Sequence, residues 1–186
     1  MEALLVSIGI VALAEIGDKT QLLTLVLAAR YRKPWPIVAG IFVATLVNHG
    51  IAGAVGAWLT RTLGPDLMRW ILGASFLAMA AWMLVPDKLD DDDSAAKRRG
   101  GVFLTTAVLF FFVEIGDKTQ IATVALAARF DALVAVVMGT TIGMILANAP
   151  VAFFGEALAK KLPVRAVHVV AAIVFAALSV GVLAFG

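Results

Sequence analysis

Glu15, Asp18 and Lys19 recur 99 positions later as Glu114, Asp117 and Lys118, within a heptapeptide, Glu-Ile-Gly-Asp-Lys-Thr-Gln, that does not change. Between Glu15–Arg30 and Glu114–Arg129, 12 of 16 positions are identical. Both copies lie in apolar runs long enough to cross a bilayer, where ionisable side chains are costly and mark functional sites. If the two copies face each other, Glu15, Asp18, Glu114 and Asp117 converge with two ammonium groups. Fully ionised, such a cluster retains two negative charges, which one divalent cation would cancel. Thr20, Gln21, Thr119 and Gln120 add hydroxyl and amide oxygens. Oxygen donors suit Ca2+, Mn2+ or Mg2+, whereas soft metals prefer sulfur or imidazole.

On a straight helix Glu15 and Asp18 stand about 60° apart, with Lys19 about 40° to the other side of Glu15. Thr20 falls about 140° away and joins them only if the helix unwinds. Gly17 and Gly116 permit that unwinding, or let a neighbour approach the backbone. Protons and a cation would compete for the same carboxylate oxygens, which is the physical basis of an antiporter. A structural alternative is a pair of i,i+4 ion pairs, Glu15–Lys19 and Glu114–Lys118, with no ligand. Asn48 and Asn148, with His49, Thr45, Thr140 and Thr141, could complete a coordination shell, carry protons or bond helix to helix. Pro150 could open the helix near Asn148. His168 and Glu156 lie near helix ends and read as interfacial, as do Trp35, Trp58, Trp70 and Trp82.

The elements that must position these groups follow from composition. Of 186 residues, 62% are hydrophobic and 15% charged, and the mean hydropathy is +0.99. Soluble domains carry roughly 45–50% apolar and about 25% charged residues, so the chain is expected to be an all-α integral membrane protein. Cysteine is absent, which removes disulfides and thiolate metal sites. A net charge of +2 gives no reason to expect nucleic acid; the partners expected are a divalent cation, protons and the lipid membrane. No nucleophile–base pair or cofactor motif points to an enzyme. Met1–Ala14 lacks a cationic lead and reads as the start of a retained helix.

Six apolar segments qualify as transmembrane helices, at 3–29, 35–60, 66–86, 101–128, 131–158 and 164–185. Pro36 suits the first turn of the second, and Asp131 reads as a cap after Arg129-Phe130. A polar linker at 87–100 separates a first three-helix repeat, 1–86, from a second, 101–186, within a single membrane domain. Gly40/Gly139, Gly56/Gly155, Leu59/Leu158 and Leu63/Leu162 keep the 99-residue offset. Three is odd, so the second repeat must enter the membrane from the opposite side. Such inverted repeats place secondary-transporter sites near the bilayer midplane. Ten basic residues, including Arg30, Lys97 and Lys160, fall on the linker's side and three, Arg61, Arg69 and Arg129, on the other. The linker is therefore expected in the cytoplasm and both termini outside. Its Asp90–Asp93 run lacks the glycine and terminal glutamate of an EF-hand loop and reads as a solvated connector.

Two E-x-G-D-K-T copies, in the first and fourth of six helices around an acidic loop, resemble the Gdt family of cation–proton antiporters. The resemblance covers essentially the whole chain. That family includes a Golgi calcium/manganese transporter and bacterial manganese exporters. The resemblance implies a cation path through Glu15, Asp18, Glu114 and Asp117, with Lys19, Thr20, Lys118 and Thr119 as motif partners. It also favours export of Mn2+ from the cytoplasm, with Ca2+ the alternative, against H+ across a bacterial inner membrane, without a bound cofactor. Spacing does not separate Mn2+ from Ca2+, or H+ from Na+, and leaves open the oligomeric state, a homo-oligomer included. An exporter of small organic cations such as basic amino acids, and a non-transporting scaffold, remain alternative readings.

Overall fold

Helix breaks at the two motifs organise the architecture. The computed structural model describes residues 1–85, 101–155 and 163–185, and the acidic linker, Glu156, Lys160 and Lys161 lie outside them. Among the described residues there are eight helices and no strand. They are α1 (Glu2–Glu15), α2 (Lys19–Tyr31), α3 (Pro34–Thr62), α4 (Pro65–Trp82), α5 (Val102–Val113), α6 (Lys118–Phe130), α7 (Leu133–Phe154) and α8 (Val164–Phe185). The segments expected as single helices at 3–29 and 101–128 are thus each split in two. At about 1.5 Å per residue, each half-helix is too short to cross a bilayer of about 30 Å alone. By length and composition, α3, α7 and the 164–184 stretch of α8 qualify as spans.

Helix starts keep the 99-residue offset at Lys19/Lys118, Pro34/Leu133 and Pro65/Val164. The ends of α2 and α6 match too: Arg32 and Asp131 both take the left-handed conformation, at φ 51° and 46°. Asp131 therefore closes α6, and Ala132 occupies the N-cap of α7.

The halves interlock. α1 packs on α7, and its counterpart α5 packs on α3. Gly139 lies against Leu4 and Ser7, and Gly40 against Phe103 and Thr106, every partner again 99 positions apart. Matching positions of the two halves thus pack on each other's helices. α4 packs on α8, where Phe76 and Phe175, another offset pair, stand 6.3 Å apart between ring centroids. Phe76, Met79, Leu126 and Phe175 anchor one apolar cluster; Leu23, Ile41, Phe110 and Met144 anchor a second. The motifs lie where α1–α2 and α5–α6 meet across the interlocked α3 and α7.

Candidate metal centre

Each break is written into its own heptapeptide. Gly17 and Gly116 take φ values of +83° and +75°, a region only glycine reaches without strain. Asp18 and Asp117 follow in extended conformation as the N-caps of α2 and α6. Gln21 then reaches back to accept from Gly17 N–H at 2.9 Å, and Gln120 does the same for Gly116 at 2.7 Å. This is the glutamine half of a capping box, moved one residue upstream. Both glutamine side-chain oxygens are thereby engaged in holding the turns. Their amide nitrogens donate to the facing helices, Gln21 to Ala147 O and Gln120 to Asn48 Oδ1.

The aspartates do not cap their helices with their side chains; they pair across the repeats. Lys118 Nζ stands 3.4 Å from Asp18 Oδ1, and Lys19 Nζ 3.4 Å from Asp117 Oδ1. These ion pairs run between the halves, unlike the i,i+4 pairs of Glu15 with Lys19 and Glu114 with Lys118 that a straight helix would offer, and the break ends that straight helix. Each lysine serves the carboxylate of the other half.

Glu15, Asp18 and Asp117 converge, with one ligand oxygen from each lying within 4.8 Å of the others. Oxygens on opposite sides of a Ca2+ ion stand about 4.6–5.2 Å apart, and closer when the ion is smaller or the angle narrower. The three carboxylates therefore form a cradle of cation size, and all three are buried. Asn148 Nδ2 donates to Glu15 Oε1 at 3.1 Å, while Glu15 Oε2 has no hydrogen-bond partner among the described residues. The buried Thr20 hydroxyl also lacks one. Thr119 donates to Asp117 Oδ2 at 3.3 Å. An unmatched buried oxygen is expensive unless something binds it.

Glu114 stands outside this cluster. It accepts from Thr45 Oγ1 at 2.9 Å and Asn48 Nδ2 at 3.3 Å. Convergence of all four carboxylates, the expectation from symmetry, thus holds in this structure for three. Asn48 and Asn148, one position out of the 99-residue register, each reach the glutamate of the opposite half.

A family model for the "divalent cation/proton antiporter GDT1" matches residues 3–91 and 102–185. The chain belongs to the GDT1 family. Across 176 residues it is 50% identical to a Vibrio cholerae serotype O1 protein named "putative manganese exporter", covering 94% of this chain and 87% of that one. No solved structure matches.

Several residues of this GDT1-family chain gain a place that sequence reasoning missed. Thr24 Oγ1 lies 2.7 Å from Asn148 Oδ1 and 3.0 Å from Thr20 O, tying α2 to α7. Its offset partner Thr123 lies 2.7 Å from Thr119 O. Both sit among the 12 repeated letters, which was the available signal. His168, expected at the interface, is buried, with Nε2 2.6 Å from Ile16 O, a carbonyl freed by the first break. Trp82, read as an interfacial anchor, places its ring 6.0 Å from Lys118 Nζ, within cation–π range. Neither role has a local signal, since each contact crosses the fold.

Proposed function

We propose that the chain exports a divalent cation from the cytoplasm in exchange for protons, with Mn2+ the preferred cargo and Ca2+ the alternative. The observation that carries this reading is the buried cradle of Glu15, Asp18 and Asp117 at two facing helix breaks. Each break aims a helix N-terminus at the centre, and Asp18 and Asp117 sit at those ends. Lys19 and Lys118 offset two of the cradle's three negative charges, and Glu114 nearby brings the remainder to two, which a divalent ion balances.

Ligand carboxylates must be deprotonated to bind a cation. A proton arriving on Glu15, Asp18 or Asp117 therefore displaces the cation, and cation binding releases protons. Exchange then needs no separate proton site. Glu114, held by Thr45 and Asn48, supplies a fourth carboxylate along the path. Thr20 and Thr119 adjoin the cradle, and Gln21, Gln120 and Asn148 fix its geometry. In this reading six crossings form two inverted three-helix repeats, split helices counting once each. The repeats rock about the shared site in the inner membrane, the linker in the cytoplasm and both termini outside. The name of the Vibrio cholerae relative supports manganese as the cargo and export as the direction.

Proteoliposomes holding the purified protein, with and without an imposed pH gradient, test this. Gradient-driven Mn2+ flux exceeding Ca2+ flux, lost in Glu15→Gln and Glu114→Gln, is the expected result. Flux of lysine or arginine without metal flux would replace this reading with organic-cation export. No flux of any cation from folded protein would leave a scaffold.

A further inference from the structure

The two glutamates of the motif are served by different neighbours, and the difference centres on a histidine. On one side of α7, Met144 lies one turn before Asn148 against its amide, and Ala147 and Asn148 meet the first motif. Their offset counterparts on α3 are Thr45, Asn48 and His49. Ala147 O accepts from Gln21 just as Asn48 Oδ1 accepts from Gln120. The same correspondence holds where Gly40 and Gly139 pack on the opposite half. His49 is thus the counterpart of Asn148, and it stands on the face of α3 whose Thr45 and Asn48 reach Glu114, as Asn148 reaches Glu15. Thr45, one turn before His49 on the same face, already touches Glu114.

His49 is 0% exposed, and neither ring nitrogen has a hydrogen-bond partner among the described residues. Burying a polar ring without a partner is costly, and packing alone needs no nitrogen there. Asn148, its counterpart, uses both side-chain atoms, donating to Glu15 and accepting from Thr24. A ligand for the imidazole would account for its retention.

We propose that His49 and Glu114, with Thr45 and Asn48, form a second cation station whose imidazole nitrogen selects Mn2+ over Ca2+. The proposal rests on the antiport reading and assigns its selectivity. Ca2+ binds oxygen ligands, whereas imidazole suits transition metals. The Glu15–Asp18–Asp117 cradle offers only carboxylate oxygens and discriminates weakly. A station with one nitrogen donor supplies what the cradle lacks.

Electron spin-echo modulation of Mn2+ bound to the purified protein reads the ligand directly. The chain has two histidines, so nitrogen modulation of the imidazole type in His168→Gln can come only from His49. That modulation is expected in the wild type and in His168→Gln, and is expected to vanish in His49→Asn. The same His49→Asn protein, which copies its counterpart Asn148, should lose Mn2+ over Ca2+ selectivity by about tenfold in flux competition. Bound Mn2+ without nitrogen modulation in His168→Gln overturns this proposal and leaves the antiport reading standing. Absence of Mn2+ binding from folded wild-type protein overturns both. If His49→Asn does not fold, the His168→Gln spectrum still decides.

Discussion

The two halves carry the same seven letters, and their breaks have the same backbone but different surroundings. Around the first break, Val164 packs against Gly17 and His168 meets Ile16 O. Over the second, no described residue besides its chain neighbours lies within 4 Å of where a Gly116 side chain would begin. Lys118 is sealed beneath Trp82, while the side chain of Lys19 is 24% exposed. Glu15 has one hydrogen-bond donor and an unmatched oxygen; Glu114 has two donors. Local sequence sets the turn, and distant helices decide what each turn can do.

The largest expected contrast is in cation binding. Glu15→Gln should weaken Mn2+ binding about 100-fold, because it removes a member of the three-carboxylate cradle. Glu114→Gln should weaken it by no more than about tenfold. Titration calorimetry on purified protein measures both, and equal losses would make the halves equivalent.

Stability separates the lysines next. Lys118→Met takes the ammonium from buried Asp18 and should cost about 3–5 kcal/mol. Lys19→Met removes a partly exposed partner and should cost about 1 kcal/mol. Denaturant unfolding in detergent compares them; the reverse order would mean that Trp82 does not seal the pair.

The glycines give a smaller difference. Alanine at either position meets left-handed strain of about 1–2 kcal/mol. At Gly17 its Cβ would also collide with Val164, adding about 1–3 kcal/mol. Thermal unfolding should therefore rank Gly17→Ala below Gly116→Ala, and equal midpoints would show that Val164 moves aside freely.

The hydroxyl pair gives the finest contrast. Thr24→Val breaks a bridge to Asn148 on another helix and should cost about 0.6–1.7 kcal/mol. Thr123→Val loses a bond within its own helix and should cost less. A double-mutant cycle with Asn148→Ala isolates the interhelical part, and zero coupling would remove Thr24 from the site.

By itself, the sequence determined a helical membrane protein, its two-part repeat, the motif residues and the glycines that permit the helices to break. These are local or periodic properties: apolar run length, an unchanged heptapeptide, a residue type that alone takes positive φ freely. Even the exchange of contacts between halves follows from the repeat once one half is placed. Tertiary structure alone decided that Lys118 pairs with Asp18 and Lys19 with Asp117, because ion pairs 100 and 98 residues apart depend on how the breaks face each other. It alone separated Glu114 from the three clustered carboxylates, through donors on α3 with no polar equivalents at Met144 and Ala147. It also brought His168 and Trp82 to the motifs, although each stands near a helix end, where the sequence reads it as interfacial. Identical letters carry identical backbone preferences; the electrostatics of a buried site belong to whatever the rest of the chain packs against it.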